Sequence, residues 1–265
     1  MNVNYAELLI GCGAKRVKDL RLPTADELRG AVTGQTGKRV GTEFRNVFTL
    51  DNNPDHKPDV VHDLNRIPFC YRALLPWPEF PTGIVDSAEH EKAIAKLQSR
   101  RSDVKAWNDG SVMSSDYFDE IHAYEVLEHV GAQGDYRSFF ALFSELWRVL
   151  KPGGFLFATC PSWHSPWAWG DPSHTRVLTA GSLAFLSQAE YARQVGKTPM
   201  SDFRSIYKAD FRAIIADESG DALLFVLQAI KREGDTCRGC GITRAVCEAA
   251  ARTQRKCCPD CDHFK

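Results

Sequence analysis

No apolar run in this chain reaches the ~20 residues that a bilayer-spanning helix needs. The first ten residues lack the charged start, long apolar core and small-residue exit of a secretory leader, so the expectation is a cytoplasmic protein with no membrane partner. Charge of one sign is lacking too: 33 Lys and Arg against 34 Asp and Glu leave a net charge of -1. The basic excess that announces a nucleic-acid binder is therefore missing, although a neutral total can conceal a local basic face. There is no internal repeat and no low-complexity tract, which excludes solenoids and long disordered linkers. Cysteine is sparse up to residue 236, with only Cys12, Cys70 and Cys160, too few for a disulfide framework. What remains, 265 residues of which 43% are apolar, suffices for one large domain with an appendage or for two small ones.

Short β-like runs are present in number: "ELLIG" at 7–11, "NVFTLD" at 46–51, "DVVHD" at 59–63, "FDEIHAY" at 118–124 and "GFLFATCP" at 154–161. Their length, and the Gly, Pro, Asn and Asp that bound them, fit strands of a buried parallel sheet. Between the last two lies a helix, with Phe139, Leu142, Phe143, Leu146, Val149 and Leu150 at helical spacing and "KPGG" expected to stop it. Thr24 and Glu27 form a capping-box pattern opening a further helix. Near residue 220, "DFRAIIADESGDALLFVLQAIKR" reads as an antiparallel hairpin. The expected architecture is α/β: a doubly wound, Rossmann-like, mixed seven-stranded sheet with helices on both faces over residues 1–233, and a small C-terminal zinc knuckle over 234–265. Residues from about 71 to 115, with the Pro-rich "PWPEFPTG" and the charged "SAEHEKAIAKLQSRR", fit the alternation poorly and read as an insertion or surface flap.

Gly11 and Gly13 stand where the first strand ends, and a turn without Cβ atoms lets backbone N–H groups approach a ligand. The dinucleotide fingerprint is incomplete because position 16 is Arg, and the plain alternative is a tight strand-to-helix turn. Asp51 ends the second strand, where a carboxylate can accept both hydroxyls of a ribose, and Asp63 ends the third. Taken singly, each reads equally well as a turn cap.

Together the pieces "LLIGCGAK", "VFTLDNNP", "PDVVHDLNRIPF", "FDEIHAYEVLEHV" and "LWRVLKPGGFLFATCP" resemble the class I S-adenosylmethionine-dependent methyltransferases, more narrowly the type 11-like subgroup, over about residues 5–230 in order. The resemblance implies that Gly11, Cys12 and Gly13 face the methionine part of the cofactor. It implies Asp51 and Asn52 at the ribose and Asp63 and Leu64 at the adenine. Ala123, Tyr124 and Glu125 would then line the end of the fourth strand beside the methyl group. Two departures stand out: the stretch from the glycines to Asp51 exceeds the usual ~20 residues, and the insertion splits a connection that is normally compact.

The substrate side is expected in "SWHSPWAWGDPSHTRVLTAGSLAFL", which resembles "DPtHxRxfT" stretches of the same family. His174 and His164 are the candidates for accepting a substrate proton near neutral pH, with Asp171 orienting the ring. The alternative is a structural lid whose His and Asp hold a turn. Glu125, His129 and His122 are weaker candidates, because "LEHV" reads as a helix tether. Trp163, Trp167 and Trp169 suit stacking on a base or a sugar face, or packing of the lid. No "DPPY" or "NPPY" follows the fourth strand, against amino-methylating DNA enzymes, and no "PC" nucleophile, against cytosine C5 chemistry.

Six cysteines crowd the last 29 residues. Cys237-x2-Cys240 and Cys258-x2-Cys261, with seventeen residues between the pairs, form a tetrahedral Zn2+ pattern of structural type, with Cys247, Cys257 and His263 as spare ligands. Arg238, Arg244, Arg252, Arg255 and Lys256 make the tail basic. The expected function is methyl transfer from S-adenosylmethionine to a small-molecule or glycan-like acceptor. One alternative is a nucleic-acid-modifying enzyme that grips its polymer through the zinc tail; another is a non-catalytic binding module.

Overall fold

The computed structural model describes residues 5–14, 16–33, 43–67, 69, 113 and 115–232. The cysteine tail with its zinc-ligand candidates, and nearly all of the insertion with its charged helix candidate, lie outside the described residues. Strands β1 (Glu7–Ile10), β2 (Val47–Asp51), β3 (Val60–Val61), β4 (Phe118–Tyr124) and β5 (Leu150–Pro161) run parallel; β6 (Phe211–Asp217) and β7 (Ala222–Ala229) form the expected hairpin. They make one seven-stranded sheet in the order β3-β2-β1-β4-β5-β7-β6, with β7 antiparallel to β5. The chain builds outward from β1 to β3, then crosses back to β4 on the other side of β1. The β1–β4 seam is thus the switch point, where open α/β sheets form their ligand crevice beyond the carboxyl ends of the strands.

Local chemistry accounts for the elements. Helix α1 (Ala25–Thr33) opens with the capping box: Glu27 N–H donates to Thr24 Oγ1 at 3.2 Å and Thr24 N–H to Glu27 Oε2 at 2.6 Å. Helix α2 (Tyr136–Val149) starts at Asp135, whose Oδ1 accepts from Arg137 and Ser138 N–H, and it buries Phe139, Leu142, Phe143, Leu146 and Val149. Strand β5 alternates its faces: Leu156, Ala158 and Cys160 join the large core under α2, whereas Phe155 and Phe157 join a smaller one with Leu22 and Ala25 beside α1. Each buried Phe or Leu contributes about 1.5–3 kcal/mol, so a sheet covered on both faces explains its continuous apolar runs.

Two expectations are corrected. Strand β3 keeps only Val60 and Val61, because the Asp59 carboxylate is taken by Thr49, at 3.0 Å to its N–H and 2.9 Å to its hydroxyl. "KPGG" is not a separator before a strand. The helix already ends at Val149 because Leu150 is extended, and β5 runs from Leu150 through these residues with a register irregularity against Phe118–Glu120.

The insertion starts and returns at one place. Met113 N–H donates to the Phe69 carbonyl at 2.8 Å, and both residues are held by the buried Glu145–Arg148 pair of α2: Phe69 N–H to Glu145 Oε1 at 2.7 Å and Arg148 Nη1 to the Met113 carbonyl at 2.5 Å. Among the described residues no helix is long and apolar enough to cross a membrane. Beyond β5, helices α3 (Pro166–Gly170), α4 (Ala180–Leu183) and α5 (Gln188–Gln194) form a cap over the sheet edge before β6.

Candidate functional site

The register brings the ends of β1, β2 and β4 side by side: Ile10 lies opposite Leu50 and Ala123. Gly11 and Gly13 follow with φ of +61° and +49°, a left-handed path that suits glycine. A Cβ on Gly11 would meet Val126 Cγ2 at 2.5 Å, whereas one on Gly13 would meet nothing within 4 Å. The first glycine lets the turn after β4 close against β1, and the second opens its backbone to free space. Cys12 is buried between them, and burial followed by the Asp51 charge pushes its thiol up to about 11. It is a neutral thiol, not a nucleophile.

Asp51 anchors this turn. Its Oδ2 accepts from Gly13 N–H at 2.9 Å and faces His56 Nδ1 at 3.1 Å; its Oδ1 accepts from Asn53 N–H at 2.8 Å. Burial alone would raise its carboxyl, but these partners outweigh it and hold Asp51 below the ordinary carboxylate range. Asn52 is exposed beside it. Asp63 shapes a turn, with Oδ1 accepting from Asn65 N–H and Nδ2 and with Arg66 Nε 3.8 Å from Oδ2; Leu64 is buried. Glu125, exposed after β4, takes φ +50°, which costs a non-glycine residue about 1 kcal/mol. In return its N–H donates to the Thr159 carbonyl at 2.8 Å. Tyr124 OH instead turns back to His122 Nδ1 at 2.7 Å.

Next to Glu125 opens a cavity of about 560 Å³, lined by Glu128, His129, Ser165, Trp167, Asp171 and His174 with the β6–β7 turn opposite. The segment around His174 is clipped onto the turn at Leu127–His129. The Glu128 carbonyl accepts from Thr175 N–H at 2.9 Å and Arg176 N–H at 3.1 Å, and Gln133 N–H donates to the Thr175 carbonyl at 2.8 Å. Arg176 reaches the carbonyls of Ala132 and Asp135 and caps the Phe139 ring at 5.1 Å. This stapling brings His174 against His129, with ring centroids 4.7 Å apart, and puts His174 Nε2 3.9 Å from Glu128 Oε1.

The sequence candidates divide here. His174 lines the cavity, but the Trp167 carbonyl orients it, at 2.8 Å from Nδ1; Asp171 Oδ2 stands 3.8 Å from Nε2. Asp171 instead holds a turn through Ser173 N–H and Oγ, and those bonds keep its carboxyl low. His164 is exposed, stacks on Trp163 at 3.6 Å and does not line the cavity. Trp163, Trp167 and Trp169 are 48%, 69% and 67% exposed, so they do not pack a core.

Glu128 was not among the sequence candidates, whereas its neighbour His129 was a weaker one; both line the cavity. Glu128 is 2% exposed, and among the described residues its carboxylate has no side-chain nitrogen or hydroxyl donor, only its own N–H and the Cys160 thiol beside it. Burial pushes its carboxyl up to about 7. The available signal was two acids and two histidines within eight residues, "HAYEVLEH", where a plain helix tether needs none.

Part of the chain matches a known domain model. Residues 83–158 match the family described as "methyltransferase domain", which takes in β4, α2 and β5 as far as Ala158 and stops short of the glycine turn. No curated protein matches. Similar solved structures include a SAM-dependent methyltransferase from Archaeoglobus fulgidus (13% identity, TM-score 0.36, 84% of this chain and 86% of that one). Another is the 16S rRNA (adenine(1408)-N(1))-methyltransferase from Catenulisporales acidiphilia (12%, 0.35, 86% and 86%). A third is the 1,6-didemethyltoxoflavin-N1-methyltransferase from Burkholderia thailandensis, solved with 1,6-didemethyltoxoflavin and S-adenosylhomocysteine (13%, 0.35, 85% and 71%).

Proposed function

We propose that this chain is an S-adenosylmethionine-dependent methyltransferase that holds its methyl donor at the β1–β4 seam and its acceptor in the adjoining cavity. The observation that carries the reading is the glycine turn at the switch point, its open Gly13 backbone tied directly to the buried carboxylate of Asp51. The match of residues 83–158 to a methyltransferase domain supports the same reaction class.

The residues present fit such a donor. A carboxylate offers about four acceptor positions; the Gly13 and Asn53 N–H groups, the His56 ring and the Cys12 thiol turn to those on Asp51. The half-buried His56 ring is the partner a ribose hydroxyl would displace. Asn52, Asp63 and Leu64 continue along the same edge, and Tyr124 and Glu125 close it. The bound donor supplies an electrophilic methyl carbon on a sulfonium sulfur. The protein's own part is then alignment: Gly13 and Asp51 fix one end, Ser165, Trp167 and Asp171 wall the cavity, and His174, His129 and Glu128 form a polar wall that would receive a proton or a cation.

A cavity of about 560 Å³ falls within the usual range for small ligands, which favours a small-molecule or sugar-like acceptor. The second reading, a nucleic-acid acceptor, draws on the three exposed tryptophans of the cap, since exposed aromatics stack on bases. Structural zinc on Cys237, Cys240, Cys258 and Cys261 belongs to the same proposal.

Calorimetric titration with S-adenosylmethionine tests the donor site. Asp51→Asn is expected to weaken binding ~10–100-fold, as loss of a charge-assisted hydrogen bond does; unchanged affinity would remove the assignment. Incubation with methyl-labelled donor and a lysate separated into nucleic-acid, protein and small-molecule pools then identifies the acceptor class. Binding without any labelled pool would favour the non-catalytic module.

A further inference from the structure

We propose that Glu128, His129 and His174 form a divalent metal-ion site in the wall of the 560 Å³ cavity, each supplying one ligand atom. Three observations converge. First, the candidate ligand atoms of the three residues all lie within 4.8 Å of one another, with His174 Nε2 3.9 Å from Glu128 Oε1. Metal bonds of about 2.0–2.2 Å set neighbouring ligand atoms about 3–3.5 Å apart, so rotamer adjustments of about an ångström close the set on an ion. A hydrogen bond between the two groups does not span 3.9 Å, which leaves a shared proton as the poorer account.

Second, both rings are set in the tautomer a metal requires. His174 Nδ1 faces the Trp167 carbonyl at 2.8 Å and His129 Nδ1 faces the Ser173 carbonyl at 3.1 Å. A carbonyl only accepts, so Nδ1 carries a proton in each ring and Nε2 is the atom left for a metal. A backbone carbonyl on the far nitrogen is the usual support of a metal-bound histidine. Third, Glu128 is a buried carboxylate lining the cavity that has no cationic or hydroxyl partner among the described residues, only its own N–H and the Cys160 thiol. Leaving a buried charge uncompensated costs several kcal/mol, and a cation removes that cost.

The molecule supplies its own control. Glu7, Glu120 and His122 also bring ligand atoms within 4.8 Å. There the Lys18 ammonium is bonded to Glu7 and lies 2.8 Å from Glu120, so the cation's place is filled by protein. Among the described residues no lysine or arginine bonds the Glu128 carboxylate. Two imidazoles and one carboxylate suit Mn2+, Fe2+, Co2+ or Zn2+ rather than Ca2+. Three protein ligands leave positions open toward the cavity, where an oxygen of the acceptor would bind; that last step rests on the methyl-transfer reading, whereas the metal site does not.

The test is Mn2+ titration of the chelator-stripped full chain, followed by electron paramagnetic resonance without S-adenosylmethionine. Mn2+ is the probe because a hard ion avoids the thiolates of the cysteine tail. One bound Mn2+ per chain is expected, weakened at least ~10–100-fold by Glu128→Gln and by His174→Ala and unaltered by His164→Ala. Imidazole nitrogen modulation in the pulsed spectrum of the unmutated protein is a second readout that needs no variant. No bound Mn2+ at millimolar concentration, equal binding in the two ligand variants, or absence of nitrogen modulation would each overturn the site. Any of these would leave the donor titration at Asp51 untouched, so the two readings fail separately.

Discussion

Two clusters of carboxylates and histidines flank the same strand, and they have opposite electrostatic fates. On β4, Glu120 and His122 meet Glu7 of β1; just beyond β4, Glu128 and His129 meet His174 of the cap. The residue types are nearly identical and both sets are largely buried. In the first, Lys18 bonds both carboxylates, Tyr5 OH donates to Glu120, His122 Nε2 lies 2.9 Å from Glu120, and the backbone N–H groups of Arg45 and Asn46 donate to Glu7. Burial raises the Glu120 carboxyl, but His122 and Lys18 reverse this and bring it to about 2. In the second, no cation arrives, only its own N–H and the Cys160 thiol serve the carboxylate, and burial carries Glu128 up to about 7. The lesson is that donors counted around a carboxylate, more than the residue types in its cluster, separate a structural ion pair from a buried carboxyl group without a cation.

The sharpest way to break this comparison is to make one substitution in both places. Glu120→Met strands Lys18 and His122 and is expected to destabilise the protein by about 3–5 kcal/mol, read by urea unfolding. A smaller loss would mean that the Lys18 network is idle. The pH dependence comes next. The folded value of Glu120 lies below its ordinary 4.5, so its contribution is present above pH 4.5 and disappears as pH falls toward about 2; the decrease is about 3 kcal/mol. The acid limb of the stability profile should flatten by that amount in Glu120→Met, and an unchanged limb would contradict the assignment.

Glu128→Met, measured without metal, is expected to act in the opposite direction. Replacing a buried, uncompensated charge with an apolar group of similar volume stabilises by about 1–3 kcal/mol, and destabilisation would show that Glu128 has a partner after all. The smallest effect belongs to His164→Ala. An exposed ring whose hydrogen-bond neighbours are confined to Ser162 should change stability by less than about 0.5 kcal/mol, and a larger loss would indicate that the cap leans on the Trp163–His164 stack.

Much of the fold was legible because its signals are local. The capping box at Thr24 and Glu27, the helix from Tyr136, the hairpin around residues 217–222 and the glycine turn each lie within a short window. Asp51 taken alone reads equally well as a turn cap, and only its place in the ordered series of motifs puts it beside the glycines. What misled was equally specific. "KPGG" looked like a stop but pairs as strand, since Leu150 is already extended. His164 looked equivalent to His174, yet ten residues of cap direct one ring to the surface and the other to the cavity. "LEHV" does act as a tether, its Glu128 carbonyl holding Thr175 and Arg176, and the burial of the Glu128 side chain is what no local pattern conveys.

The order of strands and helices, the two faces of the sheet and the glycine turn itself follow from periodicity, caps and turn chemistry, which act between residues close in the chain. The bond from Gly13 to Asp51 crosses 38 positions, and packing over such distances also selects which carboxylate meets a cation. Lys18 reaches Glu120 across 102 positions, and Thr175 and Arg176 hold the Glu128 carbonyl across nearly fifty while bringing it no side-chain donor. Satisfaction of a buried charge is a sum over everything packed around it, and that sum exists only once the chain has folded.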